Sequence, residues 1–131
     1  MDVWPSILVV DDARTMTEIM CRLLQQIGFT DIDRAYDGPS ALEQLRAKRY
    51  GLVLSDWEMQ PMNGPQLIQE MRRDPAISNI PVILVTAKHD QDHSWLAGGD
   101  GYIVKPFTVQ SLRDKIEELL LEYPHNVAAT E

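Results

Sequence analysis

Ile7-Leu8-Val9-Val10-Asp11-Asp12 is the stretch that decides the fold: four consecutive apolar residues running straight into two carboxylates. An apolar run without alternation reads as a strand buried on both faces, the kind found in parallel sheets. Two other runs share this design. Leu52-Val53-Leu54-Ser55 leads to Asp56, and Gly101-Tyr102-Ile103-Val104 leads to Lys105-Pro106. Laid side by side in one parallel sheet, these runs bring Asp11, Asp12, Asp56 and Lys105 to its carboxyl edge. Three acids and a lysine there can hold a divalent cation and let an aspartate accept a phosphoryl group.

Between the strands lie helix-periodic segments. Met16, Ile19, Met20, Leu23, Leu24 and Ile27 recur at helical spacing, and Gly28 closes them as a C-terminal cap. A short strand over Ile32–Tyr36 precedes Asp37-Gly38-Pro39, a helix start with Asp37 as cap, and Ala41, Leu42 and Leu45 form that helix's buried face. Asn63-Gly64-Pro65 opens the next helix, which carries Leu67, Ile68 and Met71 inward. Pro81–Val85 is the fourth strand. Asp90–Ala97 is the weakest helix candidate, being short, polar and ended by Gly98-Gly99. Thr108 caps a last helix bearing Leu112, Ile116, Leu119 and Leu120, and Pro124–Glu131 reads as a frayed tail.

Five βα units of this kind predict an α/β fold: one doubly wound, five-stranded parallel sheet, order 2-1-3-4-5, with helices on both faces. In that order the ends of the first and third strands adjoin at the switch point, where Asp11, Asp12 and Asp56 meet. The 131 residues are expected to form a single domain with its core over about residues 6–121.

Composition narrows the function classes. The net charge of −8 and pI near 4.7 speak against nonspecific binding to nucleic acid or anionic membranes. A single cysteine, Cys21, cannot form an internal disulfide and fits a reducing compartment. Cys21 falls off the main apolar stripe of its helix, as an ordinary small side chain. No apolar stretch approaches the ~20 residues that span a bilayer, and the start of the chain lacks signal-peptide architecture, so the cytoplasm is the expected location.

Carboxylates about 5 Å apart repel by roughly 3 kcal/mol per pair at an effective dielectric of ~20. A cation relieves this, and all-oxygen ligands suit Mg²⁺ or Mn²⁺. A carboxylate with an ordinary pKa near 3.9 is ionised at neutral pH, so Asp56 can attack phosphorus without a general base. Taken singly, Asp12 reads better as the cap of the following helix than as a site residue, and a lone Lys-Pro carries little. His89 and His93, spaced i, i+4, are better read as solvated side chains than as zinc ligands.

Val9-Val10-Asp11-Asp12, Ser55-Asp56-Trp57, Met62-Asn63-Gly64, Val85-Thr86-Ala87 and Tyr102-Ile103-Val104-Lys105-Pro106-Phe107 together resemble the ordered motifs of response-regulator receiver domains, stand-alone CheY-like ones in particular. The resemblance runs from about Ser6 to Leu121. It implies that Asp56 is the phosphoacceptor and that Asp11, Asp12, Asp56 and the Glu58 backbone carbonyl ligate Mg²⁺. It implies that Thr86, Lys105 and the backbone N–H groups of Trp57 and Ala87 bind the phosphoryl oxygens, and that Thr86 and Tyr102 form the switch. A histidine kinase or histidine phosphotransfer protein would be the donor. The output would be contact with a protein target, from a monomer or a weak phosphorylation-dependent dimer. The peptide before Pro106 would be cis.

Three features depart from that pattern. The loop after Asp56 reads Met59-Gln60-Pro61-Met62, which moves the usual Met-Pro step by one residue. Glu58 and Lys88 occupy the two places where family logic puts tuners of phosphoryl lifetime. The stretch between Thr86 and Lys105 is about three residues short, nearly one helical turn. The rival expectation is a Mg²⁺-dependent phosphohydrolase acting on external phosphomonoesters, although Asp56-Trp57-Glu58 lacks the second aspartate of an Asp-x-Asp signature.

Overall fold

The computed structural model describes residues 4–87 and 100–122. The candidate helix Asp90–Ala97, His89, His93, Lys88 and the tail from Pro124 lie outside the described residues. The elements are β1 Ile7–Val10, α1 Arg14–Ile27, β2 Ile32–Ala35, α2 Gly38–Ala47, β3 Leu52–Asp56, α3 Gly64–Arg73, β4 Val82–Thr86, β5 Gly101–Val104 and α4 Val109–Glu122. The strands form one parallel sheet in the order β2-β1-β3-β4-β5, as the sequence predicts.

The unbroken apolar runs are explained by the two cores they serve. Ile7, Val9, Leu52, Leu54, Ile83 and Val85 pack with α1 and α4 on one face of the sheet. Leu8, Val10, Val53, Val82 and Leu84 pack with α2 and α3 on the other. Successive strand residues point to opposite faces, so a sheet covered on both sides needs apolar side chains at every position. Fully burying one such side chain is worth roughly 1.5–3 kcal/mol, and reversing even one strand by a residue would exchange the two sets.

Helix ends follow their signals. Asp37 accepts from the Ser40 N–H at 2.7 Å, and Asn63 and Gln66 form a reciprocal capping box. Thr108 Oγ1 accepts from the Ser111 N–H at 3.0 Å. At Gly28 the backbone has φ 131°, and a Cβ there would lie 2.7 Å from Trp4 Nε1. The Trp4 ring stacks on Phe29 with centroids 4.9 Å apart, so glycine is needed both for the turn and for the indole above it.

Some expectations are corrected. β2 stops at Ala35 rather than Tyr36, β3 continues through Asp56, and β4 covers Val82–Thr86 rather than Pro81–Val85, because the ladder pairs Asp56 with Val85 and Thr86 with Val104. Ile19 is 44% exposed, whereas Cys21 is buried. The inward arc of α1 is Thr17, Met20, Cys21, Leu24 and Ile27. Thr17 tolerates burial there because its hydroxyl donates to Arg14 O at 2.7 Å.

A polar clasp closes the sheet beside β5. Arg72, in the last turn of α3, donates through Nη1 to Ser78 O and Ile80 O at 3.1 and 3.0 Å, and through Nη2 to Asp100 Oδ2 at 2.9 Å. Asp100 Oδ2 also accepts from the Val82 N–H at 2.8 Å. Hydrogen bonds to charged groups contribute about 1.5–3 kcal/mol when shielded from water. Arg72→Ala should therefore lower unfolding stability by about 2 kcal/mol in urea melts. Arg73→Ala, which among the described residues removes an exposed pair with Glu70 at 3.3 Å, should stay within about 0.5 kcal/mol of the parent; equal losses from the two would contradict the clasp.

Candidate functional site

The carboxyl edge of the sheet gathers the expected side chains because parallel strands all end there. Asp11 extends β1, with its N–H donating to Ala35 O at 3.1 Å, and Asp56 is the last residue of β3. Asp11, Asp12 and Asp56 each bring a carboxylate oxygen within 4.8 Å of the others. From the neighbouring strand end, Lys105 Nζ reaches Asp56 Oδ1 at 3.1 Å. The Lys105–Pro106 peptide is cis, as the resemblance implies.

Burial makes this cluster costly. Asp11 and Asp56 are only 2% and 8% exposed, while Asp12 is open to solvent. Loss of hydration pushes the Asp11 carboxyl up to about 6, the Ala13 N–H at 2.9 Å holds it down, and the nearby Asp56 charge adds to the rise. Asp56 is likewise raised by burial and restrained chiefly by Lys105, so its ordinary carboxylate value does not carry over to the folded protein. Ionised carboxylates about 5 Å apart repel by about 3 kcal/mol at an effective dielectric of ~20, and these oxygens lie within 4.8 Å of one another. Among the described residues, three acids against one ammonium leave two negative charges.

One oxygen identifies what fits. Asp11 Oδ2 is buried without a hydrogen-bond partner, whereas Asp11 Oδ1 is engaged at the start of α1. Native proteins rarely leave a buried carboxylate oxygen so. A hard divalent cation suits this set of oxygen donors and would neutralise the excess charge. Asp12 does not cap α1: the N-cap is Ala13, without a side-chain bond, and Asp12 Oδ2 instead accepts from the Gln60 N–H at 3.3 Å.

The remaining predicted residues surround this point. Thr86 ends β4, is 6% exposed, and its carbonyl accepts from the Lys105 N–H at 2.8 Å. By the β4–β5 register, Tyr102 lies opposite Leu84 and shares a face of the sheet with Thr86; its ring packs partly buried against the α2/α3 core. Ala87 follows Thr86 at the exposed rim. The Trp57 N–H donates to Val85 O at 2.8 Å and also stabilises the ionised Asp56 carboxyl, so it is already engaged. Glu58 is exposed and lines the adjoining cleft; its expected counterpart Lys88 lies outside the described residues.

Two features of the site carry no side-chain signature. Gly64 packs against the end of β3: a Cβ there would lie 2.7 Å from both Asp56 O and Leu84 Cδ2. The bond from Gln60 to Asp12 comes from the backbone, and its only trace in the sequence is the displaced proline.

Cavity size does not single out this edge. A cleft of about 570 Å³ lined by Asp12, Trp57, Glu58, Gln60, Asn63 and Gln66 opens beside the acids. A crevice of about 580 Å³ lies where the strands begin, beside Lys48 and Tyr50. In the second, Lys48 Nζ is paired with Asp31 and Asp33 at 2.8 and 2.9 Å, and Arg46 with Asp74 at 2.8 Å. Each of these carboxylates has a cationic partner. The acidic edge is the one left unbalanced, and chemistry belongs there.

Known proteins agree with this geometry. A family model described as "Response regulator receiver domain" matches residues 7–117. The chemotaxis protein CheY of Pseudomonas aeruginosa is 40% identical over 116 residues, covering 86% of this chain and 94% of its own. The signal receiver domain of a signal transduction histidine kinase from Syntrophus aciditrophicus superposes with a TM-score of 0.80 at 30% identity, over 90% of this chain and 91% of that one. The receiver domain of a sensor histidine kinase from P. aeruginosa, solved with a magnesium ion coordinated in its active-site cleft, gives 0.81 at 23% identity, over 90% and 98% of the two chains. At that identity the last likeness concerns the fold alone.

The Asp11 environment has a consequence for stability. A folded-state value near 6, above the ordinary 3.8, means the native protein binds this proton more tightly than the unfolded chain does. The associated stability is present below about pH 4 and lost as pH rises through 6. Without divalent metal, Asp11→Asn should stabilise the protein at pH 7 by about 2 kcal/mol, and the gain should vanish toward pH 4. Thermal melts in EDTA across that range provide the check; a destabilised variant at pH 7 would contradict the assigned strain.

Proposed function

The chain belongs to the response regulator receiver domain family, and on that footing we propose that Asp56 is its phosphoacceptor in a CheY-like signalling switch. The observation that carries this reading is the unbalanced, buried carboxylate cluster with Lys105 3.1 Å from Asp56. An Asp56 oxygen attacks the phosphorus of the donor. A P–O bond forms as the donor's P–N bond breaks, and the electron pair leaves on an imidazole nitrogen.

Receiver domains are phosphorylated by histidine kinases, and here a histidine kinase or a histidine phosphotransfer protein is the donor. Asp11, Asp12, Asp56 and the Glu58 carbonyl would hold Mg²⁺, or Mn²⁺ in its place. When bound, the cation supplies positive charge against the transferring oxygens. Lys105 exchanges its pair with Asp56 for a phosphoryl oxygen, Thr86 donates its hydroxyl to another, and the Trp57 and Ala87 N–H groups turn toward them. Such preorganised donors supply most of the help that phosphoryl transfer needs. Thr86, drawn toward the phosphoryl group, frees space for Tyr102 on the same face of the sheet, and the shift in population alters a protein-binding surface.

The chain spans 94% of the length of the chemotaxis relative, which supports reading about residues 6–121 as a receiver domain; in this reading it works in the cytoplasm through protein contact. No helix among the described residues is long and apolar enough to cross a membrane. Chemotaxis is one pathway that fits; a monomer, or a weak dimer formed on phosphorylation, is the working species. The family supports a signalling role, and this reading takes the chemistry to be self-directed rather than turnover of external phosphomonoesters.

Incubation with acetyl phosphate and Mg²⁺ should label the wild type at about one phosphoryl group per chain, and Asp56→Asn should take up none. Multiple turnover of varied phosphomonoesters, or full labelling of Asp56→Asn, would overturn the assignment. Glu58, at the rim, shields the acyl phosphate from water. Glu58→Asn should therefore shorten its half-life by about threefold or more, and an unchanged decay would remove Glu58 from this role.

A further inference from the structure

We infer that the backbone N–H of Gln60 positions Asp12 for the metal, making the β3–α3 loop an outer support of the cation site. This rests on the Mg²⁺-binding reading above. Asp12 is the exposed member of the acid cluster. Burial and the Ala13 N–H fix Asp11, while burial and Lys105 fix Asp56. Asp12 has neither restraint; its tether is the Gln60 N–H, 3.3 Å from Oδ2.

A carboxylate has two oxygens, and a donor on one orients the other toward a cation. Outer partners of this kind typically change metal affinity about 10–100-fold when removed. The bond is long and solvent-facing, so the lower end applies.

The donor depends on the order of two residues. Proline has no N–H, and here it stands at 61, leaving residue 60 able to donate. A proline at 60 would leave Asp12 untethered. Gln60 and Asp12 are also walls of the same cleft, together with Glu58, whose carbonyl is a proposed ligand. The loop thus contributes to the cation site twice: a carbonyl from residue 58 and a positioning N–H from residue 60. The Gln60 side chain is not required.

The test is Mg²⁺ affinity measured by calorimetric titration, without any phosphoryl donor. Gln60→Pro should weaken binding about tenfold, equivalent to about 1.4 kcal/mol, whereas Gln60→Ala, which keeps the N–H, should stay within twofold. Replacing Gln60 by its α-hydroxy analogue removes only the N–H and should match the proline variant, which covers the case where Gln60→Pro does not fold. In an Asp12→Ala background the hydroxy replacement should have no further effect. Unchanged affinity for the hydroxy analogue, or an equal loss in the Asp12→Ala background, would overturn the inference. Failure of the wild type to bind Mg²⁺ at all would instead sink the proposed function.

Discussion

The constraint on which the rest depends is electrostatic: a parallel sheet forces the ends of its strands to one edge, and here that edge carries carboxylates withdrawn from water. Asp11 and Asp56 sit almost fully buried within 4.8 Å of each other and of Asp12, with one lysine to offset them. A protein with a free choice of residues would not keep such a cluster, since lost hydration and the neighbouring charge of Asp56 both oppose ionisation of Asp11. The two apolar cores supply the stability that tolerates it. The strain is local, and it is the kind that a divalent cation and a phosphoryl group relieve and exploit.

The fold's contribution is therefore mainly positional. β1 and β3 are neighbours in register, Val10 opposite Ser55, so the residues that follow them cannot avoid meeting. β4 and β5 bring Thr86 and Lys105 up to the same edge, joined by the Lys105 N–H to the Thr86 carbonyl. Gly64 lets α3 begin directly behind Asp56, where any side chain would press on the strand backbone. Function here needs charge, register and close approach, and each has its own residues.

Much of this was legible in the sequence. β1 and β5 were readable to the residue, because unbroken apolar runs ending in charged residues mark buried parallel strands. The convergence of Asp11, Asp12, Asp56 and Lys105 followed from topology alone. Strand ends elsewhere moved by one residue, since β4 draws Asp56 into the sheet through its ladder with β3, and β5 draws in Thr86. On α1, periodicity could not say which arc faces inward; docking against the sheet and α4 buried Cys21 and left Ile19 out. The Arg72–Asp100 clasp and the Gln60–Asp12 bond escaped notice because they join distant segments through loop backbone, which leaves no periodic trace. The displaced proline hinted at the second, and only the loop's conformation gives it meaning.

The most direct test of the central claim is the melting temperature of the wild-type protein at pH 7 as Mg²⁺ is raised at constant ionic strength. If the acid cluster is strained for want of a cation, Tm should climb with the logarithm of Mg²⁺ concentration once the site begins to fill, and sodium at matched ionic strength should not reproduce it. A melting temperature indifferent to Mg²⁺ would contradict the account.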